Sequence, residues 1–244
     1  MKSMNNKIIL KNWINVKDEV KAFVLGNFKQ TISKDMAISN AVLEIIKTFK
    51  KYSIDMGYFY NKFYVYKEDY WNEISEEVIE VFIRDCCKNI YKKHIKFHTS
   101  SFYKSVKETY RDDLRVIIDN TENNVLLNLN NVTLEFSKEG FYPRDHNKND
   151  YLIYKLKYDY DENETCSMWD KFLDEMLPNE KHQLLLHQYI GYTFTNHLKL
   201  EKALFLYGGG GNGKSVVQEV ITKLLGKENT ASVSLGKLTK DPNT

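Results

Sequence analysis

A glycine-rich stretch lies between an apolar run and a helical pattern, and it narrows the possible folds of the chain more than any other part of the sequence. The apolar run occupies residues 204–207, and the glycine-rich stretch follows it directly. Lys214 and Ser215 end that stretch, and apolar residues then recur at helical spacing, as Val216, Val217, Val220, Ile221, Leu224 and Leu225. This order predicts a strand, a tight loop and a helix.

The loop has the pattern G-x-x-x-x-G-K-S, which is that of a phosphate-binding P-loop. Glycines let backbone N–H groups approach phosphate oxygens, and the N-terminus of the next helix adds positive potential. The pattern predicts that Lys214 contacts the β- and γ-phosphates of ATP and that Ser215 binds Mg²⁺, both as catalytic residues. The predicted nucleotide-binding residues are Gly208, Gly209, Gly210, Gly211, Asn212, Gly213, Lys214 and Ser215. A flexible glycine linker that happens to precede Lys-Ser is the alternative.

Composition limits the class of protein without identifying a partner. The chain has 244 residues, enough for one large domain or two modest ones, and its net charge is only +2. A nucleic-acid surface would therefore have to be local. The three cysteines have no C-x-x-C spacing, which is typical of reduced thiols in an intracellular protein. Because the sequence has no signal peptide and no long apolar run, we expect a cytoplasmic protein without membrane contact.

The sequence predicts a helical segment over residues 1–55 and a mixed α+β region over residues 56–165. In the first segment one pattern leads from Val20 to Gly26, and a second consists of Ile38, Val42, Ile45, Ile46 and Phe49. In the α+β region, an aromatic hairpin is expected around a turn at Asn61-Lys62, and Ser75 is expected to cap a helix. A second hairpin is expected over residues 124–136 with its turn at Asn130-Asn131. Residues 143–165 are expected to form a polar connection with one extended piece at 151–156.

A basic segment within the α+β region is a candidate contact for single-stranded DNA. Its cations are Arg84, Lys88, Lys92, Lys93, Lys96, Lys104, Lys107 and Arg111, interleaved with Tyr91, Phe97, Phe102 and Tyr103. Basic and aromatic side chains together can follow a phosphate backbone and stack on bases. An ordinary solvated helix face has the same appearance, and that interpretation stays open.

Two helices are expected over residues 166–200, ahead of the glycine-rich loop. The first runs over about 167–177, ends before Pro178, and is expected to bury Trp169, Phe172, Leu173 and Met176. The second runs over about 180–196 with Leu184, Leu185, Tyr189 and Tyr192 on one face. Residues 201–244 would then begin a P-loop domain, with a second strand at 231–235.

The order of these pieces resembles the C-terminal region of the phage and plasmid primase-helicase family. The resemblance rests on residues 124–136 and 151–161, on the run from Trp169 to Pro178, on Gln188-Tyr189-Ile190-Gly191-Tyr192, and on Lys202 to Gly208. That family is similar to the poxvirus-type primase-helicases and belongs to the superfamily 3 DNA helicases. The resemblance implies a helical collar, an AAA+-like domain that hydrolyses ATP, and a hexameric ring on single-stranded DNA.

The chain departs from the family pattern in two ways. Gly209 stands where the family commonly has Pro, and only 30 residues follow Lys214. A family member would next supply an acidic strand end, a polar sensor residue and an arginine finger, and residues 226–244 do not contain them. We therefore expect a truncated helicase that binds phosphates better than it hydrolyses ATP.

The fold expected from the sequence is an α+β N-terminal and collar region, with helices and β-hairpins, followed by the start of an α/β P-loop domain. The expected function is that of an ATP-dependent superfamily 3 helicase in replication of a phage, plasmid or other mobile element. The alternative is a non-catalytic oligomerisation or DNA-binding module from a truncated reading frame. No metal-binding carboxylate cluster of a primase is recognisable in the sequence, so primase chemistry is not expected.

Overall fold

The computed structural model describes residues 32–118, 125–195 and 200–238, which form two compact units. The described residues up to 118 belong to the first unit together with Asn147–Tyr154. The remaining described residues belong to the second unit. The helical pattern that ends at Gly26 lies outside the described residues.

The first unit contains three α-helices and a three-stranded antiparallel sheet of order β1-β2-β3. The elements are α1 (Lys34–Lys51), β1 (Met56–Phe59), β2 (Lys62–Lys67), β3 (Tyr70–Ile74), α2 (Glu76–Ile90) and α3 (Ser100–Asp113). Short 3₁₀ turns occur at Ile95–Phe97 and at Lys148–Asp150.

Helices α1 and α2 form where the apolar spacing and the capping residues predict them. The Ser33 hydroxyl accepts a hydrogen bond from the backbone N–H of Met36 at 3.2 Å, which satisfies one of the unpaired donors at the start of α1. Ser75 holds the N-cap position of α2 as expected, although its side chain makes no capping hydrogen bond. Both helices bury one apolar face, and the predicted helical segment after Ser33 is confirmed.

The aromatic hairpin is confirmed, but its turn lies one residue earlier than predicted. Phe59 pairs with Lys62, so the turn residues are Tyr60 and Asn61 rather than Asn61 and Lys62. Tyr60 and Asn61 both have positive φ, which suits the right-handed twist of the two strands. A second turn of this kind at Glu68-Asp69 leads into β3, a strand that was not predicted from the sequence.

The helices pack on one face of this sheet around a large aromatic and aliphatic core. Tyr91, Phe97 and Phe102 lie inside that core, and the Tyr91 hydroxyl donates a hydrogen bond of 2.6 Å to the backbone carbonyl of Ala37 in α1. Tyr110 is fully buried in the same core. The aromatic residues of the basic segment are therefore mainly structural.

Residues 147–154, called the strap below, cover the other face of the sheet. The backbone N–H of Trp71 donates to the Leu152 carbonyl at 2.7 Å, and the Trp71 indole N–H donates to the Lys148 carbonyl at 2.7 Å. Tyr151 stacks on Trp71 with ring centroids 5.9 Å apart. The extended piece predicted at 151–156 is irregular in the structure and divides between the two units.

The second unit contains another three-stranded antiparallel sheet, of order β4-β5-β6, and four α-helices in its described residues. The elements are β4 (Val125–Asn128), β5 (Thr133–Ser137), β6 (Gly140–Arg144), α4 (Ser167–Met176), α5 (Glu180–Thr193), α6 (Lys214–Leu225) and α7 (Leu235–Leu238).

The asparagine-rich hairpin forms as predicted over the described residues from Val125 onward. Asn128 pairs with Thr133, which places Asn130 and Asn131 in the connecting loop. The Asn130 side-chain amide donates to Asp159 at 2.8 Å, and the Asn131 side-chain oxygen accepts from the backbone N–H of Tyr160 at 2.9 Å. The asparagines thus fix the loop to the following polar segment. Strand β6 was not predicted.

Two predicted strands are absent from the described residues. The apolar run at 204–207 has no regular structure, and Phe205 and Tyr207 are largely exposed. Residues 231–234 are irregular, and α7 begins at Leu235. A strand requires a hydrogen-bonded neighbour, and the described residues supply none for either run. None of the described helices combines the length and apolar character needed to cross a membrane.

Candidate nucleotide-binding loop

The glycine-rich residues form a loop that leads directly into α6. Gly208, Gly211 and Gly213 all have positive φ, with values of 152°, 75° and 73°. Gly213 is the N-cap of α6, and its left-handed conformation is one that L-residues rarely adopt. The predicted order of loop and helix is therefore present, although the segment before the loop is not a strand.

Lys214 is held against the loop by three oxygen acceptors. Its ammonium donates to the carbonyl oxygens of Gly208 at 3.1 Å and of Gly209 at 2.9 Å. It also donates to the side-chain oxygen of Asn212. All three acceptors are neutral, so the charge of Lys214 is concentrated at the loop without a carboxylate partner among these contacts.

Asn212 and Ser215 complete the loop in different ways. The Asn212 side chain fills the space beside Gly208, where an added Cβ would lie 2.0 Å from its amide nitrogen. Ser215 lies in the first turn of α6 and its side chain is exposed. The N-terminus of this 12-residue helix carries partial positive charge, which favours an anion next to Ser215.

Helix α4 supports the loop by direct contact with Gly213. A Cβ at Gly213 would lie 2.7 Å from Cζ of Phe172 and 3.1 Å from Cγ of Met176. Leu173, Leu186 and Val217 form the buried cluster that joins α4, α5 and α6. The sequence predicted burial of Phe172 and Met176, but nothing in it indicated that they would contact a residue about 40 positions later.

The buried faces of α4 and α5 differ from the predicted ones. Leu173 is buried as expected, whereas Trp169 and Phe172 are half-buried and Met176 is exposed. Leu184 and Leu185, predicted to share the packed face of α5, are more than half exposed, and Leu186 is the buried residue instead. Helical spacing fixes which residues share a face, but the choice of face depends on the neighbouring helices.

A cavity of about 450 Å³ adjoins the loop. Its lining is largely apolar and comes from α4, α5 and residues 204–207, with His182, Asn212 and Lys214 among the polar residues. Small-molecule sites commonly have this size and this combination of apolar walls and few polar groups.

The basic segment is not a stacking surface. Tyr91, Phe97 and Phe102 are buried in the core, and Tyr103 is half-buried. Lys107 lies 2.6 Å from Glu80 and 3.6 Å from Glu76, so its charge is compensated. The exposed cations of the segment include Arg84, Lys88 and Lys104. Any contact with nucleic acid here would have to use charge rather than aromatic rings.

The described side chains do not form a metal-binding site by themselves. Among them there is no group of three or more histidine, cysteine, aspartate or glutamate side chains placed to hold a metal ion. A Mg²⁺ at Ser215 would therefore depend on oxygen ligands from phosphate and water, which is how this ion is commonly bound.

A match to a known protein family covers more than half of the chain. The family model is described as D5 N terminal like and matches residues 43–178. The matched residues end before the glycine-rich loop.

A viral protein is also similar. "Putative helicase 121R" of Invertebrate iridescent virus 3 is 29% identical over 136 residues, which cover 54% of this chain and 14% of the viral protein. The chain thus spans about one seventh of the length of that relative.

Proposed function

The chain belongs to the D5 N terminal-like family, and on that premise we propose that it is part of a replication helicase of superfamily 3 that binds ATP at residues 208–215. The likeness to a viral protein that is named as a helicase supports the helicase part of this proposal. The nucleotide site rests on the loop itself, because the family match ends before it.

The observation that carries the nucleotide site is the arrangement of Gly213 and Lys214. Gly213 ends the loop in a left-handed conformation, so α6 starts at Lys214 with its N-terminal dipole directed at the loop. The Lys214 ammonium already lies within 3.1 Å of the loop carbonyls of Gly208 and Gly209. A phosphate is a stronger acceptor than a neutral carbonyl, and Lys214 exchanges those carbonyls for the β- and γ-phosphates of ATP.

The other loop residues have supporting roles in this proposal. Backbone N–H groups of Gly208 to Gly213 face the phosphates, and Ser215 supplies a hydroxyl ligand to Mg²⁺. The apolar cavity beside the loop excludes water from the bound nucleotide. This arrangement binds and orients the phosphates.

Hydrolysis, assembly into a hexamer and movement on single-stranded DNA are proposed for the whole protein. Phosphoryl transfer requires charge stabilisation by acidic, metal-binding and arginine groups in addition to the loop. We assign none of these groups to residues of this chain. A non-catalytic module that binds DNA through residues 84–111 is the second candidate, favoured by the exposed cations at Arg84, Lys88 and Lys104.

Substitution of Lys214 tests the nucleotide site. We expect Lys214→Ala to weaken binding of a fluorescent ATP analogue, in the presence of Mg²⁺, by roughly tenfold or more, because a charged hydrogen bond to phosphate contributes about 1.5–3 kcal/mol. The measurement is an equilibrium fluorescence titration of the full chain.

Lys223→Ala is the matched control for this experiment. Lys223 lies near the other end of α6, is exposed, and pairs with Glu219 at 3.1 Å. Its substitution removes the same charge from the same helix and should leave the affinity unchanged. Equal affinities for Lys214→Ala and the unmodified chain would rule out the proposed site.

A further inference from the structure

A groove between α2 and α3 in the first unit has the properties of an anion site. It has a volume of about 360 Å³ and is lined by Glu80, Arg84, Ser100, Tyr103, Lys104 and Lys107. The residues from α3 recur at helical spacing, so one face of that helix forms one wall. Glu80 and Arg84 are one turn apart on α2 and contribute to the other wall.

The charges in the groove are unevenly compensated. Lys107 lies 2.6 Å from Glu80 and 3.6 Å from Glu76, so its charge is fully compensated by these two carboxylates. Lys104 is exposed and makes no hydrogen bond or ion pair with a described residue. Arg84 forms an ion pair with Asp85 at 3.7 Å, which is longer than a hydrogen bond, and both side chains are partly exposed. Lys104 therefore carries the unpaired charge of the groove, and Arg84 can still direct N–H donors at a ligand.

Two further features favour an oxyanion in the same place. Ser100 is the first residue of α3, a helix of 14 residues whose N-terminus carries partial positive charge. The hydroxyl oxygen of Tyr103 is buried and has no hydrogen-bond partner among the described residues. A buried hydroxyl without a partner is costly. Tyr103 lines the groove, so a small shift of its side chain toward the groove would let a ligand oxygen accept a hydrogen bond from it.

We propose that this groove holds a backbone phosphate of a single-stranded nucleic acid, with Arg84 and Lys104 as the charged contacts and the Tyr103 hydroxyl as a donor. The proposal deepens the suggested action on DNA and rests on it. Lys88 is exposed and lies one turn beyond Arg84 on α2, outside the groove, where a neighbouring phosphate of the same strand would also meet a cation. Bases do not stack on Tyr91, Phe97 or Phe102, because these rings are packed in the core.

The test is binding of a fluorescein-labelled oligothymidylate to the full chain, measured by anisotropy over a series of salt concentrations. We expect the double variant Arg84→Gln/Lys104→Gln to lose roughly tenfold in affinity. We also expect the slope of log affinity against log salt to become less steep by about 1.4, since each lost contact with a single strand accounts for about 0.7. Lys34→Gln/Lys50→Gln removes two charges from exposed positions of α1 and should change neither quantity.

Tyr103→Phe tests the hydroxyl separately from the charges. It should reduce oligonucleotide affinity while leaving the free energy of unfolding unchanged or higher, because the lost hydroxyl has no partner in the protein. Tyr110→Phe removes another buried hydroxyl without a partner, outside the groove, and should leave DNA binding unaltered.

Two outcomes would overturn the proposal. One is a double variant that binds as tightly, and with the same salt dependence, as the charge control. The other is an unmodified chain that does not bind the oligonucleotide at low salt. Nucleotide binding at Lys214 is measured independently in the other unit, so its loss or retention distinguishes failure of the groove from failure of the nucleotide site.

Discussion

Gly213 shows how one residue connects the candidate loop to the helices that support it. Its φ of 73° favours glycine, and the space beside its Cα is occupied by Phe172 and Met176 of α4. Glycine is thus required at this position twice: its left-handed conformation allows α6 to start here, and its missing Cβ permits the close approach of α4. The sequence motif predicted the glycine for phosphate binding, whereas the contact with α4 emerged only from the fold.

Gly213→Ala should therefore destabilise the second unit and weaken nucleotide binding. The left-handed conformation alone costs roughly 1–2 kcal/mol for a residue with a Cβ. The contact at 2.7 Å with the Phe172 ring adds to this cost. Urea unfolding followed by circular dichroism measures the stability, and titration with the ATP analogue measures the binding.

Gly210→Ala is the control for this prediction. Gly210 does not have positive φ, and a Cβ there would meet nothing within 4 Å. We expect this variant to unfold at nearly the same urea concentration as the unmodified chain. If Gly213→Ala and Gly210→Ala lowered the midpoint urea concentration of unfolding equally, the packing of α4 against the loop would not be as described.

At the scale of elements, helices α1, α2, α4, α5 and α6 were predicted from the sequence, whereas α3 and α7 were not. The signals of the predicted helices are local: Ser33 and Ser75 at the N-caps, and apolar residues at helical spacing in α1, α2 and α6. The strands β3 and β6 were missed for physical reasons. Strand β3 follows a turn whose positive φ values fall on Glu68 and Asp69 rather than on glycine, and β6 is mostly exposed, without an alternating pattern.

The opposite error occurred where apolar runs suggested strands. Residues 204–207 have the composition of a strand, but a strand also needs a paired neighbour, which is a non-local property. The same distinction applies to the candidate site. The loop residues could be predicted from a local motif, whereas the support from α4 and the groove between α2 and α3 depend on residues that are distant in sequence.

The packing of α1 against the remainder of the first unit depends partly on one buried hydrogen bond. The Tyr91 hydroxyl donates to the Ala37 carbonyl at 2.6 Å, whereas the buried Tyr110 hydroxyl has no partner among the described residues. We expect Tyr91→Phe to lower the free energy of unfolding by about 1 kcal/mol, the usual net value of such a bond. Tyr110→Phe should be neutral or stabilising.

Chemical denaturation of the two phenylalanine variants distinguishes these effects. Both substitutions remove one buried oxygen atom from the same core, so their difference reports on the hydrogen bond. A loss for Tyr110→Phe as large as that for Tyr91→Phe would show that hydroxyl packing, rather than the bond to α1, determines the stability.

At the scale of the whole molecule, the core of the first unit should make stability sensitive to alkaline pH. Burial raises the pKa of the Cys87 thiol from 9.0 to about 12, and burial also raises the pKa values of Tyr91 and Tyr110. In the unfolded chain these groups release protons at lower pH than in the native state. Their contribution to stability is therefore fully present below about pH 9 and is lost as pH rises toward 12.

Urea unfolding at several pH values above 8 tests this expectation. The free energy of unfolding should fall with rising pH in the unmodified chain. Cys87→Ala should start lower at neutral pH, because it leaves a cavity, but should fall less steeply above pH 9. Identical slopes for the two proteins would contradict the assignment to Cys87.

The strap at residues 147–154 belongs to the first unit, although the chain on either side of it belongs to the second. The polypeptide consequently passes between the units three times, near residues 119, 146 and 154. A single protease cut near residue 146 leaves neither unit complete in one fragment. A cut near residue 119 leaves all of the second unit in the C-terminal fragment, together with the strap, whereas a cut near residue 154 leaves all of the first unit in the N-terminal fragment, together with part of the second. Expression of either unit by itself has a related limit: each unit is encoded by two separated stretches, so it can be produced alone only if those stretches are joined.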